Sequence, residues 1–355
     1  MSRICYEAVK PHVRSSILGY NTDLFVGVIV IILRGRKKMK LNEFINNWLD
    51  SVIKDNVRKS TYMVYHGYIR NHIIPIIGDA ELTELRTEII QGFIHMLMHG
   101  GKKRLAAKTV NDILVMLSTA LQCAKEYEYI VKNPCAKVRL PKSQEKEIKA
   151  FTRAEQQRIE KAVINSGDSR TIGVLICLYT GVRIGELCAL KWENVDIKNK
   201  QLSIKLSLNR VNTYTDKEEK TQLVFEEPKT VKSKRLLPLP EFLCLILAQQ
   251  KKKSNAPFVL SMKNGKPVQP RTMQYIYTRL LCGAGLEYRN FHTLRHTFAT
   301  RVIELGVDIK TVSETLGHSN SIITINRYAH SLMEQKQRMM KQLDNYFNNK
   351  KPAKT

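Results

Sequence analysis

From Leu41 onward the apolar positions recur at helical spacing, with Phe44, Ile45, Trp48, Leu49 and Val52 sharing one face. The same period predicts a second helix from Thr61 past Tyr65, Tyr68 and Ile69, stopping at Pro75. A third follows Thr87 and ends at Gly100-Gly101. A long fourth starts near Thr109, carries Ile113, Met116, Leu117 and Leu121, and ends before Asn133-Pro134. Residues 41–138 therefore read as an all-α, four-helix domain. The period is lost over 139–150, a polar stretch with Arg139, Lys142, Lys146 and Lys149, which reads as an extended basic linker.

Beyond the linker, Thr152 and Glu155 form a capping-box pattern in which each side chain serves the other's backbone N–H. A helix from about Thr171 is expected to end at Gly181, and another to start near Ile184. The period then changes to two. Val195-Asp196-Ile197, a turn at Lys198-Asn199-Lys200, and Leu202-Ser203-Ile204 predict a hairpin. Further strands are expected around Gln222 to Phe225 and Arg235 to Leu239, with Lys229 and Lys232 in the connection between them. After Pro270 the pattern returns to helices with stops at Gly283, Gly306 and Gly317. The expected fold is mainly α, in two domains: the four-helix unit, then a mixed α+β domain with a small antiparallel sheet. The boundaries are 1–40 for an atypical N-terminal extension, 41–138, 139–150, 151–345, and 346–355 for a flexible basic tail. No internal repeat or low-complexity tract interrupts this plan.

Charge changes the picture more than length does. The 355 residues contain 58 Lys plus Arg against 32 Asp plus Glu, a formal net charge of +26. Such an excess draws the chain to polyanions by counterion release, nucleic acid first among them, although it also suits solubility alone. Lys102, Lys103, Arg104 and Lys108 crowd one connection, where they would meet phosphates or simply face solvent. Seven scattered cysteines with no Cys-x-x-Cys pair argue against a disulfide framework or a zinc site and for a reducing cytoplasm. Cys123, Cys177, Cys188 and Cys244 fall in apolar helical settings as small core residues. The run from Leu24 to Leu33 is too short for a bilayer, which takes about 20 residues. Its positive cluster, Arg34 to Lys38, follows the run, the wrong order for a secretory leader. The extension reads as soluble, with Met39 as an alternative start, and no membrane association is expected.

The candidate chemistry gathers in a few segments. A phosphodiester under attack gains charge on its non-bridging oxygens, and guanidinium forks match those oxygens and stay charged at physiological pH. Arg183, in Thr180-Gly181-Val182-Arg183-Ile184-Gly185-Glu186, offers one fork; Glu186 would orient it, or the two would form an ordinary surface ion pair. His292 and Arg295 share a face at the start of a helix, and His296 follows as a packing or supporting residue. His318 comes just after Gly317, projecting from an interhelical loop or sitting satisfied in the core. Tyr328 lies on the next short helix, expected from Ser321. A phenol with pKa about 10 needs neighbouring cations or concerted proton transfer to act as a nucleophile.

Taken in order, Thr180 to Leu187, Pro228-Lys229-Thr230, His292-Thr293-Leu294-Arg295-His296 and Leu316-Gly317-His318 with Tyr328 resemble the motifs of the tyrosine recombinases, the phage-integrase family. The resemblance covers about residues 41–345, and the four-helix domain with its linker is similar to the family's SAM-like core-binding domain. It implies a site-specific recombinase that cleaves and rejoins double-stranded DNA through a 3′-phosphotyrosine, integrating or excising a mobile element. Arg183, Arg295 and His318 would stabilise the pentacoordinate phosphate. Lys229, or its rival Lys232, would protonate the departing 5′ oxygen; His292 would assist proton transfer, and Tyr328 would attack. Bond energy is kept in the phosphotyrosine, so neither ATP nor a metal nor any other cofactor is implied. The family resemblance further implies a homotetramer on paired DNA sites, a helix over Glu334 to Leu343 docking on a neighbouring subunit, an accessory directionality factor, and a place on the nucleoid. Residues 1–38 do not resemble the arm-binding domain of many integrases. Other readings are a dimer-resolving Xer-type enzyme, a type IB topoisomerase-like enzyme and a DNA-binding protein without catalysis.

Overall fold

The computed structural model describes residues 39–100, 104–139, 150–212, 221–227, 234–317 and 329–348. The leader, the linker from 140 to 149, and the segments holding Lys102, Lys103, Lys142, Lys229, Lys232, His318 and Tyr328 lie outside the described residues. The chain divides into two units at Glu145/Lys146.

In the first unit, α1 (Leu41–Trp48) continues into a π-helical turn over Leu49–Ile53. The wider turn rotates the apolar face by a residue. Leu41, Phe44, Ile45, Trp48 and Leu49 are buried as the period requires, but Ile53 takes the inward place expected of Val52, which is only half-buried. The second helix also departs from expectation. α2 (Lys59–Tyr68) runs into a π turn at Ile69–Ile73 and on through Ile74–Ile77, so Pro75 does not end it. Pro75 stands in the first turn of that last segment, where the N–H it lacks is not needed by an α-helical bond. α3 (Thr87–His99) stops at Gly100, and α4 (Ala107–Glu126) packs against α1, α2 and α3. Ile113, Met116, Leu117 and Leu121 of α4 are fully buried and centre this core.

The second unit opens with α5 (Arg153–Ile164) and the expected capping box: Glu155 N donates to Thr152 Oγ1 at 3.2 Å, and Thr152 N to Glu155 Oε2 at 2.7 Å. α6 (Ile172–Thr180) is buried on nearly every side, as an apolar helix at the centre of a domain must be. α7 (Ile184–Cys188) follows at once.

The sheet is the main correction. β1 (Val195–Asp196) and β2 (Gln201–Ile204) form the expected hairpin, with Val195 opposite Leu202. β3 (Ser207–Asn212), unforeseen, pairs with β4 (Thr221–Glu226), whereas β5 (Arg235–Pro238) pairs with β2. Among the described residues there are thus two small antiparallel sheets, β1-β2-β5 and β3-β4, rather than one. Ser-Leu-Asn-Arg-Val-Asn has few strand-favouring residues, and pairing with β4 overrides that weak local preference.

α8 (Glu241–Lys252) gives Cys244 its expected helical setting, but its bounds were not foreseen, since its first half is apolar almost all round and shows no periodicity. α9 (Pro270–Gly283), α10 (His292–Glu304) and α11 (Ile309–Leu316) end close to the expected glycines. α12 (Ala329–Asn348) extends beyond both ends of the expected Glu334–Leu343 helix. No described helix is long and apolar enough to cross a membrane. Cys177, Cys188 and Cys244 are buried as expected, and Cys123 is half-buried.

Truncating Leu117, fully buried in the first unit, to alanine should cost about 2–5 kcal/mol. A urea unfolding curve read on that unit checks it; an unshifted midpoint would contradict the packing.

Candidate active site

Three arginines from three parts of the second unit meet at the C-terminal end of α11. Arg235 Nε donates to Thr315 O at 2.8 Å, Arg295 NH2 to Leu316 O at 2.6 Å, and Arg183 NH2 to Gly317 O at 3.0 Å. These are consecutive carbonyls of a helix end, where backbone acceptors lack helical partners and the helix dipole is negative. Gly317 closes the helix at φ 63°, a left-handed conformation that a side chain disfavours. A Cβ there would also stand 3.0 Å from NH1 of Arg235. The glycine at 317 therefore serves both the backbone turn and the approach of a guanidinium.

Arg295 is 2% exposed and anchors the other side of the site, donating through NH1 to Gly181 O at 2.7 Å. Gly181 ends α6 at φ 67°, and a Cβ there would meet Phe298 at 2.6 Å and Leu316 at 2.8 Å. That close approach brings the Gly181-Val182-Arg183 segment against α10 and α11.

Glu186 holds the arrangement together. Its Oε1 accepts from Arg183 NH1 at 2.9 Å and Arg235 NH1 at 3.1 Å. Its Oε2 accepts from the Arg183 backbone N–H and from Arg235 NH2, both at 2.9 Å. With its side chain 4% exposed, Glu186 is no surface partner for Arg183, and the surface ion-pair alternative falls. Burial works to raise the Glu186 pKa, but the Arg235 hydrogen bonds and charge, with Arg183 behind them, outweigh it and hold the carboxyl below its usual range.

His292 is exposed at the first turn of α10, its ring edge-on to the buried His296 with centroids 4.7 Å apart. His296 itself is 2% exposed. His292 and Arg295 line a cleft of about 200 Å³ together with Val182, Ile184, Asn290 and Gln274. Arg183 lies between two of those lining residues, its side chain 38% exposed. The structure accordingly gathers Arg183, Glu186, His292, Arg295 and His296 at one place. Where Lys229, Lys232, His318 and Tyr328 stand is outside the described residues, though Gly317 carries the chain directly into His318. In the first unit, Arg104, Lys108 and Arg139 are exposed; the Arg139 backbone is held by Gln91 at 3.0 and 3.4 Å.

Arg235 is the residue that sequence reasoning missed. Its signal was parity: with Leu237 and Leu239 inward on a period-2 strand, position 235 shares their face. A charged residue on a buried strand face calls for a buried partner.

The phage integrase family model matches residues 138–335, and that family's N-terminal SAM-like domain matches residues 40–98. The chain belongs to the phage integrase family. It is therefore a tyrosine-type recombinase, an enzyme that breaks and rejoins DNA. A tyrosine recombinase XerC-like protein of Caldanaerobacter subterraneus subsp. tengcongensis is 30% identical over 86% of this chain and 83% of its own. The ICEBs1 integrase of Bacillus subtilis is 25% identical over 81% of this chain and 78% of its own. Among solved structures, the Tn1549 transposon integrase in complex with a circular-intermediate DNA has a TM-score of 0.73 at 20% identity, covering 85% of this chain and 99% of that one. A lambda integrase tetramer on a Holliday junction has a TM-score of 0.61 at 19% identity, over 90% and 85%. Both show the recombinase fold.

Because the folded Glu186 pKa is lowered, its contribution to stability is present above the ordinary glutamate value of about 4.3 and lost as pH falls through the folded value. Glu186→Gln should therefore melt below the wild type at neutral pH, with the gap narrowing in acid. A gap independent of pH, measured by thermal melts from neutral pH down to about pH 3, would contradict this assignment.

Proposed function

We propose that this recombinase integrates or excises a mobile DNA element, and that Tyr328 is its nucleophile. The observation that carries the reading is that His292 and Arg295 line one cleft while Arg183 and Arg295 are both held at the turn leading into His318. Two guanidiniums held by backbone acceptors and a carboxylate are pre-oriented before DNA arrives, so little reorganisation remains for the transition state. In this reading the Tyr328 oxygen attacks the scissile phosphorus as the bond to the 5′ oxygen breaks. Lys229 or Lys232 gives that oxygen a proton, His292 assists proton transfer from the phenol, and His318 joins the two arginines on the non-bridging oxygens. The 3′-phosphotyrosine is then resolved by a 5′ hydroxyl of another strand, which re-forms the phosphodiester and frees the tyrosine.

The first unit acts as the core-binding domain (41–138) and the second as the catalytic domain (151–345), with the basic linker 139–150 between them. Lys102, Lys103, Arg104, Lys108, Arg139 and Lys142 contact phosphates of the double-stranded DNA. The excess of cations and the exposure of Arg104, Lys108 and Arg139 support this. A homotetramer on paired sites, with α12 docking on a neighbouring subunit, agrees with the exposed Met339, Met340, Leu343, Tyr346 and Phe347 along α12. An accessory directionality factor and a cytoplasmic, nucleoid-associated location complete the reading. The XerC-like relative favours one second reading, resolution of chromosome dimers.

Tyr328→Phe should abolish the covalent protein–DNA adduct on a nicked suicide duplex built from the DNA flanking the coding sequence, while DNA affinity is kept. An adduct formed by the Phe variant would rule out Tyr328 as nucleophile. Affinity for that duplex should fall by about a thousandfold or more between 50 and 200 mM salt. A flat salt dependence in a filter-binding assay would argue against extensive phosphate contact.

A further inference from the structure

Of the two arginines on Glu186, Arg183 is the more exposed, and Arg235 stands behind it. The Arg235 side chain is 7% exposed, against 38% for Arg183, and unlike Arg295 it does not line the cleft. Its bonds to Glu186 and Thr315 go instead to parts that hold the site. Its two terminal nitrogens fork onto the two oxygens of Glu186 at 3.1 and 2.9 Å, and Glu186 in turn holds the Arg183 guanidinium and backbone N–H. Its Nε holds Thr315 O, one residue before the carbonyl that takes Arg295 and two before the one that takes Arg183. Its guanidinium also packs against Gly317.

We propose that Arg235 is a positioning residue for strand cleavage: through Glu186 and the Thr315-Leu316-Gly317 turn it sets the orientation in which Arg183 meets the scissile phosphate. The proposal rests on the reading of Arg183 as a phosphate ligand. The physical need is clear. An arginine side chain left to itself samples many rotamers, and a misplacement of about 1 Å at a reacting centre can cost on the order of 100-fold in rate. A carboxylate that must hold Arg183 while buried needs a second cation to offset its desolvation, and a planar fork does so in one geometry. Lysine carries the same charge but can neither fork onto both oxygens nor reach Thr315 O through a separate Nε–H. An ion pair serving only the fold would have no such requirement, since buried pairs are often replaceable without loss of stability.

The test uses the full chain and the nicked suicide duplex at saturating concentration, with adduct rate, DNA affinity and thermal midpoint measured together. Arg235→Lys should form adduct about 10- to 100-fold more slowly, with DNA affinity and midpoint held. The deciding measurement repeats the substitution in an Arg183→Lys background. A residue acting through Arg183 should lose little further rate there, whereas a residue serving the fold alone would lose the same factor in both backgrounds. Wild-type cleavage by Arg235→Lys, or equal losses in the two backgrounds, would overturn the proposal. If Arg235→Lys lowers the midpoint, the neutral pair Glu186→Gln with Arg235→Gln leaves no unpaired buried charge and takes its place. Slow cleavage by that pair supports the positioning role, and rapid cleavage overturns it. Tyr328→Phe run alongside separates the two levels of failure. An active Phe variant sinks the site reading itself, and an inert one beside a fully active Arg235→Lys sinks only the positioning role.

Discussion

A single carboxylate, buried between two guanidiniums, holds the geometry of this enzyme's candidate site. Glu186 links α7 to β5, and the arginines it binds link both to the end of α11. Burying a charge is costly, and one partner barely offsets it. Two partners and a backbone N–H do better, and the surplus leaves the pocket net positive. With Arg295 added, three guanidiniums face one carboxylate. A pocket biased in this way suits a ligand that brings its own negative charge.

The end of α11 is where that charge is directed. Helix carbonyls without intrahelical partners are acceptors in search of donors. Here Thr315, Leu316 and Gly317 each take an arginine whose residue lies 80, 21 and 134 positions away in the chain. The site therefore forms only once distant segments have packed, and it cannot be held by any local element alone. Gly181 and Gly317 make the approach possible, each at positive φ and each in contact where a Cβ would intrude. Chain continuity then carries this clamped turn straight into His318.

Much of the architecture was legible because local signals and global packing agree. The capping box at Thr152 and Glu155, the glycine ends of α6, α10 and α11, and the hairpin at Val195 and Leu202 all formed as their residues require. The misreadings came where a local rule met a longer-range one. Pro75 did not stop its helix because a π turn absorbed the defect, and the same device moved Ile53 rather than Val52 into the core. β3 has little strand propensity and exists because β4 pairs with it. α8 lacks the periodicity that would have given its bounds, although Cys244 was read as helical.

By itself the sequence determined the periodicities, the helix ends, the cationic excess and the ordered motifs that mark a tyrosine recombinase, since all of these are written in neighbouring residues. Tertiary structure decided that Glu186 is buried rather than a surface partner, that β5 pairs with β2 rather than β4, and that Arg235 belongs behind Arg183. These depend on which distant segments come into contact, and the free energy of a charged group turns on whether that contact leaves it in water or takes it out.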